Sequence, residues 1–378
     1  MAPSKLSIIF VTNNYTPYQG GVVSSILLTV DALRAQGHTV KLITLDFENK
    51  QTAEEDIIRL YCPLRFMYKS NHMALPWCPA YYIDKLIQQF KPDIIHVHHP
   101  FLLGASALKV ARSRNVPVIF TYHTLYEQYL HYIPLPKQLI CPVVKTLVQS
   151  FCTTVQGIIA PSTTIKDYIQ TIAPMTLTQV IPSGVPVSFF SNNKHLKKLQ
   201  KPFKLLIVSR FTQEKNITFL LDVIALLKPS HYLFTLAGYG VELSFLQNYA
   251  FSHKNLSPKN VIFIERPSKL TLIDLYAQAD LFIFASHTET QGIVLAEAMA
   301  QGTPVITLDG PGQRDIVIDE FNGYLVSSAS EMKEKIELCT KNPSLHCILQ
   351  ENARKTAQNY TPDHLIERLI NFYQALID

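Results

Sequence analysis

The sequence predicts an α/β protein made of two doubly wound domains, each a parallel sheet covered by helices. Short apolar, β-branched runs alternate with helix-period segments along both halves, the pattern of βαβ units in a buried parallel sheet. The chain has 378 residues, more than twice the roughly 150 expected of one domain. Hydrophobic residues make up 47% and charged residues 17%, which suits strands buried on both faces and excludes a disordered chain.

Taken in order, Leu6–Val11 reads as a strand, Asn13–Gly21 as a loop, Val22–Gln36 as a helix closed by Gly37, and Thr39–Leu45 as the next strand. Asp93–Val97, Val116–Thr121 and Gly157–Ala160 add further strands. The rhythm then restarts with strand Lys204–Val208, helix Ile217–Leu227, strand Leu233–Leu236 and a turn at Gly238-Tyr239-Gly240. Strand Val261–Ile264, helix Leu270–Gln278, strand Leu281–Phe284, helix Ile293–Gln301 and strand Pro304–Ile306 follow. Between the halves, Ser191–Pro202 is polar and lysine-rich, as a linker is. The expected division is residues 1–190, a linker 191–202, and residues 203–361. Open doubly wound sheets bind ligands outside the carboxyl ends of their strands, so two such domains facing one another form a cleft lined by loops of both.

Charge narrows the partners. With 34 Lys plus Arg against 29 Asp plus Glu, the net charge is +5. No dense basic stripe marks a nucleic-acid binder, and the excess favours an anionic ligand or an acidic membrane surface. The apolar runs are strand-sized, far short of the ~20 residues that cross a bilayer. The N-terminal run lacks a small-residue cleavage site, and the six cysteines never form a Cys-x-x-Cys pair. A cytoplasmic location is expected.

Three constellations carry chemistry. In Ser286–Met299, Glu289 and Glu297 stand eight residues apart across a strand-to-helix junction, with Gln291, Gly292, Ile293 and Val294 between them. A helix starting at Gly292 offers backbone N–H groups and the positive end of its dipole to a phosphate, and Glu297 can accept hydrogen bonds from vicinal sugar hydroxyls. On spacing alone, a helix-capping Glu289 and a solvated Glu297 weigh equally. Second, Arg210 and Lys215 lie five residues apart in a strand-to-helix loop and can converge on a diphosphate; surface ion pairing is the alternative. Both clusters follow strands of the same half and so share one rim. Third, Gly20-Gly21 opens the first helix, where a tight turn explains it equally well, and His96, His98, His99 and His123 end two strands. No acidic or cysteine partner supports a metal at those histidines, and a hydrogen-bonding role for His123 is the better reading. Neither a Gly-x4-Gly-Lys-Ser/Thr loop nor a Gly-x-Ser-x-Gly elbow occurs.

Glu289-x7-Glu297 followed by Ala298-Met299-Ala300-x-Gly302-x-Pro304-Val305-Ile306, together with Ser209-Arg210-x4-Lys215-Asn216, resembles the family 4 retaining glycosyltransferases of the GT-B fold. Pro17-x2-Gly20-Gly21-Val22, Ala160-Pro161-Ser162, Ile181-Pro182-x-Gly184-Val185, Leu236-Ala237-Gly238-x-Gly240 and Tyr276-x2-Ala279-Asp280-x-Phe282 fall in the family's order, so the resemblance spans nearly the whole chain. It implies two facing Rossmann-like domains, an acceptor domain at 1–190 joined by the C-terminal helix 362–378 and a nucleotide-sugar donor domain at 203–361. By that resemblance Glu297 holds the ribose, Arg210 and Lys215 neutralise the departing diphosphate, and Gly292, Ile293 and Val294 offer N–H groups to it. Glu289 binds the donor sugar, Gln291 and Gly238 belong to the donor site, Gly20 and Gly21 lie beneath the diphosphate, and His123 contacts the sugar. The reaction implied is a retaining, metal-independent hexosyl transfer by front-face attack. Its co-substrate is a UDP-sugar and it has no other cofactor.

His96-Val97-His98-His99-Pro100, Thr121-Tyr122-His123-Thr124 with Tyr126 and His131, and Thr288-Glu289-Thr290-Gln291-Gly292 resemble the branch that glucosylates diacylglycerol. A lipid acceptor and a peripheral position on the cytoplasmic face of an anionic membrane follow from that. Pro142–Thr153, with Val144, Leu147, Val148 and Phe151 at helical spacing near Lys137 and Lys145, reads either as an amphipathic helix on lipid or as a core-facing helix. Glu265-Arg266-Pro267 stands where the family has a glycine near the nucleobase, and Pro186 where it has Asp, so uridine rests on the family alone. The rival readings are the same chemistry on a soluble or polysaccharide acceptor and a non-catalytic nucleotide-sugar-binding protein. A retaining glycosidase leaves Arg210 and Lys215 without purpose, and a Rossmann oxidoreductase lacks its Gly-x-Gly-x-x-Gly. Oligomeric state has no signature in the sequence.

Overall fold

The computed structural model describes residues 5–16, 18, 20–47, 55–68, 71–132, 136–190 and 199–377, without the side chains of residues 68, 71, 72, 129, 131, 132, 137 and 229. The chain divides into two compact units, Met1–Gly184 with Pro362–Asp378, and Val185–Thr361.

Unit 1 begins with β1 (Ser7–Val11), α1 (Gly21–Ala35), β2 (Thr39–Leu45) and β3 (Ile57–Leu60), followed by a hairpin of β4 (Leu64–Tyr68) and β5 (Asn71–Leu75). It continues through α2 (Pro79–Phe90), β6 (Ile94–Val97), α3 (Leu103–Ser113), β7 (Val118–Thr121), α4 (Lys137–Thr154), β8 (Gly157–Ala160), α5 (Thr163–Ile172) and β9 (Leu177–Val180). Among the described residues seven strands form one sheet in the order β3-β2-β1-β6-β7-β8-β9, and every pairing is parallel. Strand order reverses between β1 and β6. Strand β1 shows why the run Ile8-Ile9-Phe10-Val11 is apolar throughout. Ile9 and Val11 enter one core with Val97, Phe120 and Val148, while Ile8 and Phe10 enter another with Ile26, Leu33 and Ile119. A strand covered on both faces has no polar side.

Unit 2 runs β10 (Phe203–Arg210), α6 (Ile217–Leu226), β11 (Tyr232–Tyr239), α7 (Leu243–Asn248), β12 (Val261–Glu265), α8 (Lys269–Gln278), β13 (Leu281–Phe284), α9 (Ile293–Ala300), β14 (Val305–Leu308), β15 (Gly323–Val326), α10 (Ala329–Lys341) and α11 (Pro343–Ala357). Its sheet order, β12-β11-β10-β13-β14-β15, is the doubly wound one, and the reversal falls between β10 and β13. The final helix, α12 (Pro362–Ile377), returns to unit 1, where Ile366, Leu369, Ile370 and Tyr373 pack with Phe10 and Ile26.

Three expectations change. The first unit ends at Gly184, because Val185 and Phe189 are buried with Tyr276 and Phe282 in unit 2. Apolar side chains go to the core that can cover them, and the polarity of 191–202 marked a connection inside unit 2; residues 191–198 lie outside the described ones. Next, the turn expected at Gly238 is strand, since β11 stays paired with β10 through Ser209↔Gly238 and Arg210↔Tyr239. A Cβ on Gly238 would stand 1.8 Å from the Ser209 carbonyl oxygen, and one on Gly240 2.2 Å from that of Phe211. Close backbone approach therefore accounts for both glycines. Last, β3, the β4–β5 hairpin, β9 and β15 carry weak patterns and were not among the expected strands.

Candidate functional site

The switch point of unit 2 gathers most of the expected donor residues. Arg210 is the last residue of β10, and Lys215 closes the 3-10 turn Gln213–Lys215 behind it. Across the reversal, β13 ends at Phe284 and leads through buried Ser286 into the loop carrying Glu289. Glu214 ties the two loops together, its carbonyl accepting hydrogen bonds from the His287 N–H at 3.3 Å and the Ser286 hydroxyl at 3.4 Å. The Asn216 and His287 side chains meet at 2.9 Å.

Within this frame the Lys215 ammonium donates to the Glu289 carboxylate, both side chains being largely buried. Arg210 pairs with the Glu214 carboxylate at 3.4 Å. Burial alone would push the Glu289 carboxyl up, but the Lys215 charge and hydrogen bond, the Ser286 hydroxyl and the Arg210 charge outweigh it and hold the group below its ordinary value. Glu289 is thus ionised at neutral pH.

Gly292 caps α9 in the left-handed region, φ 79°, where a side chain costs strain. Ile293 and Val294 follow in the first turn, whose N–H groups have no acceptor inside the helix. Gln291 is buried, and its backbone lies 2.6 Å from where a Cβ on Gly312 would stand. Glu297, one turn further on, accepts from the Tyr276 hydroxyl at 2.9 Å. Burial raises its carboxyl to about 7 against the opposing effects of that hydrogen bond and the Lys269 charge. Neither carboxylate is a plain solvated glutamate.

Sequence reasoning missed the groups that hold these in place. Gln313, fully buried, donates to the Ser286 carbonyl at 2.6 Å and leaves its Oε1 without a partner. Asp280 accepts from the Lys204 N–H at 2.7 Å, fixing the start of β13. The Thr303 hydroxyl bonds the Tyr276 carbonyl at 2.7 Å. The motif Tyr276-x2-Ala279-Asp280 was the available signal, and its polar members brace Glu297 and β13.

Unit 1 has its own switch point. The Asn13 N–H donates to His99 Nδ1 at 3.2 Å and the Asn13 side chain to the Phe101 carbonyl at 3.1 Å, clamping the loop after β1 to that after β6. His123, just beyond β7, has its Nε2 2.9 Å from His98 Nδ1. The rings of Phe10, His96, His98 and His123 form a continuous stack. Both His96 nitrogens are engaged, by Tyr373 and Thr121 at 2.6 Å each. Burial, joined by neighbouring histidines, lowers His96 and His123 to about 3, so these rings are neutral. His98 Nε2 is buried without a partner. An orphan N–H is costlier than a bare ring nitrogen, which assigns the proton to His98 Nδ1 and makes His123 Nε2 the acceptor.

Gly20 caps α1, and a Cβ on Gly21 would meet nothing within 4 Å, so packing does not require glycine there. Tyr126 lies in the 3-10 turn Tyr126–Tyr132, its buried hydroxyl without a partner. The side chains of His131 and Lys137 lie outside the described ones. Lys145 is exposed on α4. Of the stripe expected to meet lipid, Val144, Val148 and Phe151 are in the core and Leu147 alone points to solvent, because α4 covers β7 and β8 with that face. Among the described residues no helix is long and apolar enough to cross a membrane.

Two family models divide the chain between them, Glycosyltransferase Family 4 over residues 19–189 and Glycosyl transferases group 1 over residues 189–356. The chain is 31% identical over 376 residues to the alpha-monoglucosyldiacylglycerol synthase of Streptococcus pneumoniae, covering 92% of this chain and 82% of that protein. Its fold is similar to that of a sucrose-phosphate synthase from Thermosynechococcus elongatus, with a TM-score of 0.81 at 20% identity over 98% of this chain and 99% of the other. It is similar also to Anabaena HepE in complex with UDP-glucose, with a TM-score of 0.75 at 16% identity over 98% and 100%.

Proposed function

The chain belongs to glycosyltransferase family 4, and on that footing we propose that it transfers glucose from UDP-glucose to diacylglycerol with retention of anomeric configuration. The observation carrying this reading is the convergence of Arg210, the Lys215–Glu289 pair and the Gly292 helix terminus at one switch point. Such a site suits a substrate with a diphosphate next to a polyhydroxylated ring. The acceptor class is supported by the 31% identity, across both units, to a synthase named for glucosyldiacylglycerol. The uridine donor is supported by the likeness to HepE.

In this reading Glu297 accepts the ribose hydroxyls, and the Ile293 and Val294 N–H groups take the distal phosphate. Arg210 and Lys215 neutralise the charge that grows as the C1–oxygen bond breaks. Preorganised charge aimed at a leaving group is the main catalytic term. Glu289 holds Lys215 in position and accepts from donor-sugar hydroxyls. The acceptor hydroxyl oxygen forms the new bond to C1 on the face that the diphosphate leaves. The bonding electrons pass to the diphosphate, whose oxygen takes the acceptor's proton, and no metal takes part. His123, its tautomer set by His98, contacts the sugar, Gln291 and Gly238 border the donor, and Tyr126, His131, Lys137 and Lys145 serve the acceptor side.

Gly20 and Gly21 leave room for the diphosphate. Gly21→Val is expected to leave thermal unfolding little changed, because a Cβ there meets nothing within 4 Å, while raising the donor KM about tenfold or more by filling that room. Steady-state kinetics beside a melting curve checks both. The reaction itself is tested by offering a panel of labelled nucleotide sugars with lipid extracts and with soluble glycans. Labelled glucosyldiacylglycerol, α-linked by NMR and formed in the presence of EDTA, is the expected product; transfer to glycans alone would remove the lipid acceptor.

A further inference from the structure

The β4–β5 hairpin is built inside out. Its register pairs Leu64 with Leu75, Arg65 with Ala74, Phe66 with Met73 and Met67 with His72. Directly opposed residues share a face and alternate along the strand. One face therefore carries Arg65 and Ala74, and it is fastened to the body of unit 1. Ala74 is buried in the core, and the Arg65 guanidinium donates to the Asp46 carbonyl at 2.9 Å and stacks over Tyr61. The other face carries Leu64, Phe66, Met73 and Leu75, all exposed. A half-covered antiparallel sheet ordinarily turns polar residues to water, so this unbroken apolar quartet reverses the rule.

The patch extends past the hairpin. Trp77, the single tryptophan of the chain, is 63% exposed. The Trp77 N–H bonds the Tyr61 carbonyl at 3.1 Å, tying the Trp77 backbone to the segment that enters β4, while the Tyr61 ring itself lies under Arg65 of the other face. Tyr81 and Tyr82, also exposed, pack edge to face at the start of α2. From Tyr61 to Tyr82 the sequence contains no Asp or Glu, but it contains Arg65 and Lys69. Aliphatic side chains at the centre, amphipathic aromatics beside them and a segment free of acidic residues are the composition of a surface that enters a lipid headgroup region.

We propose that the β4–β5 face, with Trp77, Tyr81 and Tyr82, seats unit 1 on an anionic phospholipid bilayer. This deepens the lipid-acceptor reading and rests on it for its choice of partner. It also moves membrane contact away from α4, whose exposed apolar residues are Leu139, Val143 and Leu147. The chain needs a surface that stays at the bilayer while the acceptor is drawn from it; α4 also lacks acidic residues, and the hairpin is preferred because Leu64, Phe66, Met73, Leu75 and Trp77 make the larger exposed apolar face.

Trp77 supplies the reporter. The full chain is mixed with vesicles of phosphatidylcholine containing about one third phosphatidylglycerol, without donor or acceptor. Partition is read by flotation, and Trp77 emission is read with and without brominated lipid. Binding, a blue shift and quenching by the bromine are expected. The variant Phe66→Ser, Met73→Ser, Leu75→Ser should lose about 30-fold or more in partition, from three apolar side chains withdrawn from the interface. Its melting curve and its transfer to a dispersed short-chain diacylglycerol should be unchanged. Leu139→Ser, Val143→Ser, Leu147→Ser on α4 should bind as the parent does. Binding without any Trp77 response, or binding lost only in the α4 variant, overturns the proposal. So does a parent that ignores vesicles and instead self-associates through the hairpin. Vesicle binding with no transfer to any lipid would remove the acceptor assignment and leave this surface standing, whereas transfer to dispersed diacylglycerol without vesicle binding would do the reverse.

Discussion

Lys215→Ala is expected to lower kcat about 10²–10³-fold, the usual cost of removing one preorganised group that stabilises developing charge. Lys215 comes from the turn after β10 and is oriented by Glu289, so its charge reaches the diphosphate with little reorganisation. The substitution also strands its partner. Glu289 sits below its ordinary pKa because Lys215, Ser286 and Arg210 overcome burial; with Lys215 gone, burial weighs more and the carboxyl moves up. The sign of the stability effect follows. In the parent, a depressed carboxyl stabilises the fold above its unfolded pKa, and that stability is lost as pH falls through the lower folded value. In the variant this contribution shrinks, and it reverses if the folded pKa passes the unfolded one. Thermal unfolding from pH 4 to 8, alongside single-turnover kinetics, reads both effects. Lys215→Arg should recover part of the rate, since a guanidinium restores charge with different geometry. An unchanged kcat with a raised donor KM would demote Lys215 to a ground-state binding residue.

Glu297→Gln is expected to weaken donor binding about 10–100-fold, on ~1.5–3 kcal/mol for hydrogen bonds to a charged group. It should also erase a pH dependence. Burial raises the Glu297 carboxyl from 4.5 to about 7. A raised folded pKa means that ionising the group costs stability: nothing below about pH 4.5, then a growing penalty as pH rises to about 7. That rise corresponds to about 3 kcal/mol at full ionisation. The glutamine variant should therefore be more stable than the parent at pH 8. Ribose hydroxyls donate best to the carboxylate, so parent affinity for UDP should rise with pH up to about 7 and then level, with protons released on binding below that. Calorimetry in buffers of different ionisation enthalpy measures this release. The same slope in Glu297→Gln would assign the titration to another group.

Tyr276 explains why such a carboxyl is tolerated at all. Its hydroxyl gives Glu297 one satisfied bond while the rest of the carboxylate stays available. Nothing in the spacing Glu289-x7-Glu297 distinguishes this from a solvated helix face; that distinction is made by the packing of α8 against α9.

The fold class was legible because buried parallel strands must be apolar along their whole length, and Leu6–Val11, Val116–Thr121 and Leu281–Phe284 announce that locally. Strands that the sheet holds at its edges or off its plane announce nothing of the kind. β9, Leu177–Val180, is half-buried, and β15 starts at a glycine whose Cβ would stand 2.1 Å from the Val305 carbonyl. The division of the chain was misplaced for a related reason. Polarity marks where a chain meets water, but the unit boundary is set by which core buries Val185 and Phe189.

For the site, the sequence by itself determined the residue types and their order: Arg210, Lys215, Glu289, Gly292 and Glu297, each just past a strand, where a doubly wound sheet opens its crevice. It also determined the family, since several spaced motifs constrain a chain more than any one of them does. Only the tertiary structure decided how these groups are charged and partnered. Whether a glutamate is held ionised by a lysine or pushed up by burial depends on neighbours 74 residues away for Glu289 and 21 for Glu297. The same holds for the hairpin face. Leu64, Phe66, Met73 and Leu75 read as ordinary strand residues until folding shows which face the body of unit 1 covers. A side chain's pattern is local, but its burial and electrostatic surroundings are properties of the whole fold.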